Sequence, residues 1–146
     1  MLRDVENSLR YLALGGTILI HDLRPVSELE SSQFDAEYDS IVKYWTGDVW
    51  RSILSIRSRQ DVDLAILDVD WGLGVLRKRP NPRPLNGLKA WKLQSDFYDF
   101  MNRIDQITPF LSLHELHYWL ENETATAGYV RLEEVGLLVE EKWWNN

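Results

Sequence analysis

Gly15-Gly16-Thr17-Ile18-Leu19-Ile20-His21-Asp22 is the stretch on which the fold turns: a paired-glycine stop, four β-branched or apolar residues, then an imidazole and a carboxylate. An apolar run without alternation is what a strand covered on both faces of a parallel sheet requires. Upstream, Val5, Leu9 and Leu12 fall at i, i+4 and i+7, which predicts an amphipathic helix from Asp4 to Leu12 that the glycines end. Downstream, Thr46 and Asp48 are candidate N-caps for a second helix striped by Val49, Ile53 and Ile56. Between them the pattern loosens, with a short helix expected from Phe34 to Tyr44.

Leu64-Ala65-Ile66-Leu67 repeats the unbroken apolar signature and ends in Asp68-Val69-Asp70. Trp71-Gly72-Leu73 then leads into Gly74-Val75-Leu76-Arg77, and the two glycines predict a hairpin joining these strands. Ser95 is the expected cap of a helix carrying Phe97, Phe100, Met101 and Ile104 on one face and ended by Pro109. Ser112 and Glu115 make a capping box for a helix striped by Leu113, Leu116 and Leu120, and the tail from Arg131 to Trp144 leans towards helix. The order predicts an α/β fold with a mostly parallel sheet closed by one antiparallel hairpin strand, plus C-terminal helices. A single domain is expected over 1–146, divided into a half-sheet (1–79), a basic proline-rich connector (80–94) and a helical extension (95–146).

Length and composition agree with one domain: 146 residues, of which 45% are hydrophobic and 27% charged. With no apolar run near membrane-spanning length and no basic-then-apolar leader, the expected address is the cytoplasm. The absence of cysteine removes disulfides, thiolate catalysis and cysteine zinc sites, so metal chemistry would fall to histidine and carboxylates. A formal charge of −7 disfavours nucleic acid and anionic lipid as partners. Against that balance, Trp71 to Ser95 holds no acid but carries Arg77, Lys78, Arg79, Arg83, Lys89 and Lys92, read as a solvated connector with an anion site as the lesser alternative.

Three constellations could carry chemistry. His21-Asp22 stands at the C-terminal end of the first strand, the edge at which open α/β sheets bind ligands. The pair suits a divalent metal or acid–base work, and equally a turn cap with a backbone-bonded histidine. Asp68 and Asp70 flank Val69 on one face, where paired carboxylates serve a metal or, more economically, a turn. His114 and His117 lie three apart on a helix, short of the i, i+4 spacing of a zinc helix. Trp143-Trp144 is a contact candidate, and no glycine-rich phosphate loop or nucleophile elbow is present.

Taken together, the helix from Arg3 running into Gly15–Asp22, then Gly47-Asp48-Val49-Trp50, then Asp68-Val69-Asp70-Trp71-Gly72-Leu73-Gly74-Val75 resembles the C-terminal half of class I S-adenosylmethionine-dependent methyltransferases. The resemblance covers roughly residues 3 to 78. It implies a Rossmann-like sheet in which Thr17–Ile20 is the fifth of seven strands and the final strand is antiparallel. It implies methyl transfer to a small-molecule or sugar hydroxyl, with Asp22 and His21 over the acceptor and Asp22 matching the aspartate that holds a divalent metal in metal-dependent relatives. Leu23 stands where those relatives carry an asparagine, and their fourth-strand aspartate has no counterpart. The cofactor sits on the N-terminal half of such sheets, and strands one to four, the glycine-rich loop and the ribose acid have no counterpart either. The expectation is a chain inactive alone.

A fifth strand without its inner neighbour leaves an apolar edge that recruits other strands. Self-association as a homo-oligomer through that edge, or its replacement by another segment of the chain, is therefore expected. The alternative reading is a non-catalytic α/β interaction module that uses the edge, the basic connector and Trp143-Trp144.

Overall fold

The computed structural model describes residues 1–32, 37–38, 41–42, 44–85 and 96–121. Helix α1 (Leu2–Tyr11) buries Val5 and Leu9, and strand β1 (Thr17–Ile20) follows the glycine turn. A 3-10 turn (Gly47–Arg51) runs into α2 (Ser52–Arg57). Strands β2 (Asp63–Leu67) and β3 (Leu73–Arg77) form the expected hairpin, with register from Asp63 opposite Arg77 to Leu67 opposite Leu73. Helix α3 (Phe97–Ile107), strand β4 (Phe110–Leu111) and helix α4 (Leu113–Glu121) complete the described elements.

The fold is α/β, and its sheet is mixed rather than mostly parallel. The strand order is β1-β3-β2-β4, with β3 antiparallel to both of its neighbours and only β2 and β4 parallel. The tight hairpin lays β3 back along β2, so β3 occupies the place beside β1 that a parallel neighbour would need. The second edge of β1 carries no strand among the described residues.

One face of the sheet is packed by all three long hydrophobic stripes. Val5 and Leu9 of α1, Ile53 and Ile56 of α2, and Phe100 and Ile104 of α3 close over Ile20, Leu64, Ile66 and Leu76. The other face is smaller: Ala65, Leu67, Val75 and Leu111 lie under Trp119 of α4. That cover does not extend over β1, where Leu19 is 64% exposed, so the expectation of a strand covered on both faces fails for β1. Strand β2, buried at every position, is the one that meets it.

Several local signals act otherwise than their sequence suggests. Thr46 Oγ1 donates to the Glu30 carbonyl (3.1 Å) and makes no cap hydrogen bond, and Asp48 is non-helical, so this helix begins as a 3-10 turn. Asp96 caps α3, its carboxylate accepting from the amides of Tyr98 (2.8 Å) and Asp99 (3.1 Å); Ser95 lies outside the described residues. The Ser112/Glu115 capping box forms in both directions (2.6 and 3.2 Å). Most of the Phe34–Tyr44 helix, and the whole tail with Trp143 and Trp144, lie outside the described residues.

Candidate functional site

The site is assembled where β1 and β2 end. Beyond Ile20 the chain must turn while both sides of the turn are fixed, because Ile20 is buried in the strand and Leu23 is fully buried against the hairpin. Leu23 N–H donates to the Gly72 carbonyl (3.1 Å) and Arg24 N–H to the Trp71 carbonyl (2.5 Å). A Cβ at Gly74 would stand 2.3 Å from Leu23 Cδ1, and one at Gly72 would stand 2.7 Å from Arg24 Cβ. The two glycines thus admit the loop after β1 against the hairpin.

Between those fixed points Asp22 adopts a left-handed backbone (φ 67°). Its Oδ1 lies 2.6 Å from His21 Nδ1, and the imidazole is about half exposed. The bend of the hairpin is left-handed over three consecutive residues: Asp70 (φ 41°), Trp71 (φ 54°) and Gly72 (φ 80°). Asp22, Asp70 and Trp71 are the non-glycine residues with positive φ among those described, and all fall in these two loops. Such conformations cost on the order of 1–3 kcal/mol each, most for a bulky residue, and concentrate at functional sites.

Arg24 joins the loops. Its Nη1 pairs with Asp68 Oδ1, both side chains remaining substantially exposed, and its guanidinium lies over the Phe110 ring, 5.2 Å from the centroid. Two concavities flank it. One of about 380 Å³ is bounded by the loop after β1, by Asp68–Gly72 and by Met101; another of about 390 Å³ is bounded by Asn102, Asp105 and Phe110. Arg24, Asp68 and Met101 border both. Tyr44 packs on Trp71 with ring centroids 4.5 Å apart.

The chain matches no family model, no curated protein and no solved structure.

Of the sequence candidates, His21 and Asp22 are brought together, and Asp68 and Asp70 lie in the turn that packs beside them. His114 and His117 are elsewhere, exposed on α4, with His117 Nε2 3.2 Å from Glu121 Oε1 and His114 against Tyr118. Among the described residues no group of three or more histidine and acidic side chains is placed to hold a metal. Sequence reading missed Arg24 and Trp71. The signal for both was Gly72 and Gly74, whose bare Cα atoms call for a close neighbour that only the fold identifies as Leu23 and Arg24.

The basic stretch is not a solvated connector where the structure describes it. Arg79 is buried and grips Asp63 Oδ2 through Nε (3.0 Å) and Nη2 (2.7 Å), with Trp119 beneath its guanidinium. Arg57, fully buried on the other side of Asp63, donates to the Ile107 carbonyl (2.9 Å) and the Arg83 carbonyl (3.2 Å). Asn81 donates to the carbonyls of Arg57 (3.2 Å) and Arg59 (2.8 Å), and Lys78 Nζ caps α1 at Leu9 O (2.6 Å) and Leu12 O (2.7 Å). The physical reason is Asp63: a buried carboxylate requires cationic partners, and the stretch supplies Arg79. Lys89 and Lys92 lie outside the described residues.

Proposed function

We propose that this chain is the acceptor-binding part of an S-adenosylmethionine-dependent methyltransferase, acting on a small-molecule or sugar hydroxyl. The observation that carries the reading is the His21–Asp22 pair at the C-terminal end of β1. With Asp22 Oδ1 2.6 Å from Nδ1, the neutral ring of His21 carries its proton on Nδ1 in this proposal, which leaves the Nε2 lone pair directed away from Asp22. An acceptor hydroxyl within hydrogen-bond reach of Nε2 gives its proton there as its oxygen becomes the nucleophile, while Asp22 steadies the imidazolium.

Support comes also from the edge of the sheet. The antiparallel strand that the resemblance implies has a counterpart in β3, which runs antiparallel between β1 and β2, and the outer edge of β1 carries no strand among the described residues. S-adenosylmethionine itself does not fit the described residues. The paired glycines of the hairpin, Gly72 and Gly74, are already filled by Arg24 and Leu23, and no glycine-rich loop follows a strand among the described residues. Its binding loop belongs, on this reading, to whatever covers β1, and this chain supplies binding and deprotonation of the acceptor. A divalent metal at Asp22 is the lesser version of the same site, because Oδ1 is engaged by His21.

The test uses the chain purified from its own cells with any partner that covers β1, given methyl-deuterated S-adenosylmethionine and an extract of small molecules. The expected result is a deuteromethyl ether whose formation falls at least about a hundredfold in Asp22→Asn, the lower range for loss of acid–base catalysis. No transfer by the native assembly, or equal transfer by the variant, would overturn the reading.

A second reading rests on exposed apolar side chains, Leu19 in β1 (64%) and Leu14 and Tyr11 before it (79% and 91%). Exposed apolar residues on a strand whose outer edge carries no described strand suit pairing with a second copy, with or without catalysis.

A further inference from the structure

We infer that the cleft around Arg24 binds a neutral, polyhydroxylated ring, that is, a sugar or a cyclic polyol. That such a ring is the methyl acceptor rests on the proposal above; the cleft itself is bordered by groups other than His21 and Asp22. One cation, Arg24, stands among three exposed carboxylates: Asp68, which it pairs, Asp70 in the first concavity and Asp105 in the second. Asn102 adds a donor and an acceptor, and Trp71 an aromatic wall.

That inventory discriminates between ligand charges. An anion would gain one guanidinium already bound to Asp68 and would face Asp70 and Asp105 without compensation. A cation would find one carboxylate beyond the Arg24–Asp68 pair in each concavity, Asp70 or Asp105, too few to hold it without a second acidic ligand. A ring of hydroxyls matches the mixture, since each hydroxyl both donates, to the carboxylates, and accepts, from the guanidinium N–H groups that Asp68 leaves over or from the Asn102 amide. The apolar face of such a ring is suited to the indole of Trp71, while the hydroxyls around its rim take the polar partners.

The backbone points to the same place. Asp70 and Trp71 are held left-handed, a conformation disfavoured for a bulky residue such as Trp71, and the two carry the acceptor and the aromatic surface that this ligand uses. The concavities are of the volume usual for small-molecule sites and are open, so the affinity expected for a single ring is weak, with Kd about 1 mM.

The experiment is nuclear magnetic resonance on the 15N-labelled full chain, with the Trp71 indole signal assigned by its disappearance in Trp71→Phe. Methyl glycosides of glucose, galactose and mannose are titrated separately, with benzoate and benzylamine as anionic and cationic controls. At least one glycoside is expected to shift the Trp71 indole and the Asp68–Gly72 amides saturably. Asp70→Asn and Trp71→Asn, the latter chosen because asparagine accepts a left-handed backbone, are each expected to weaken that binding about tenfold. A response to benzoate or benzylamine alone, no response to any glycoside, or glycoside shifts unchanged in both variants would overturn the inference. Because the readout involves no cofactor, glycoside binding by an assembly that transfers no methyl group would retire the methyl-transfer reading and leave this one standing. Methyl transfer to a hydroxyl outside the sugars, with the glycosides silent, would do the reverse.

Discussion

Where β2 begins, Asp63 and Arg57 are withdrawn entirely from solvent and are stitched through Arg79 and Asn81 to two helices and a loop. Where the same strand ends, Asp68 pairs with Arg24 at a surface on which the carboxylate is 67% exposed. The first region puts its charges to structural use, with ordinary backbone and many partners. The second holds left-handed residues, a half-exposed imidazole and open concavities. The difference is a division along one strand: a buried ionic clamp fixes the base of the sheet, and the loops at its other end hold strained backbone and exposed polar groups.

The comparison breaks if charge removal costs the same at both ends. Asp63→Asn is expected to lose about 3–5 kcal/mol in urea denaturation, because Arg57 and Arg79 are left buried without their carboxylate. Asp68→Asn is expected to lose less than about 1 kcal/mol, as for other exposed pairs. Equal losses would mean that the cleft is part of the structural clamp.

Next in size is the glycine that lets the two loops meet. Gly72→Ala places a methyl group 2.7 Å from Arg24 Cβ at a residue with φ 80°. A loss of about 2 kcal/mol is expected, together with shifted amide resonances from His21 to Val26. A neutral Gly72→Ala would show that the loop after β1 is not positioned by the hairpin.

The open edge gives a test in which stability hardly moves. Light scattering is expected to find the chain self-associated and the Leu19→Lys variant monomeric, with unfolding free energies within about 0.5 kcal/mol of each other after allowance for concentration. A monomeric parent chain at high concentration would remove the second copy as the strand that covers β1.

The smallest effect concerns Asp61, whose carboxyl is lowered mainly by the hydrogen bond from Arg59. A carboxyl that titrates lower in the native state stabilises the fold above its unfolded pKa and loses that contribution as pH falls through the native value. Arg59→Ala is therefore expected to cost a few tenths of a kcal/mol at neutral pH, since the pair is exposed and screened. The cost should fade as pH falls below the ordinary carboxylate range and through the lowered native value.

How far the fold was legible follows from these same residues. Helices α1, α3 and α4 and the β2–β3 hairpin are readable because their signals are local: spacing, a capping box and two glycines in a turn. Strand order was not, because nothing local in Thr17–Ile20 states whether its neighbour runs parallel; β3 won that place by way of its hairpin. Arg79 read as a solvated cation until Asp63, distant in sequence, was found beside it. Within the site, His21 and Asp22 stood out by their place at the end of a strand, whereas Arg24 and Trp71 became visible only once Leu23 was seen to lie on Gly74.

The central claim is that Asp22 holds the Nδ1–H of His21 and so leaves Nε2 as the base. Long-range 1H–15N correlation on the imidazole of His21, at a pH where the ring is neutral, reads this directly. The account predicts a protonated Nδ1 and an unprotonated, pyridine-like Nε2, with the preference lost in Asp22→Ala; a proton on Nε2 in the parent chain would contradict it.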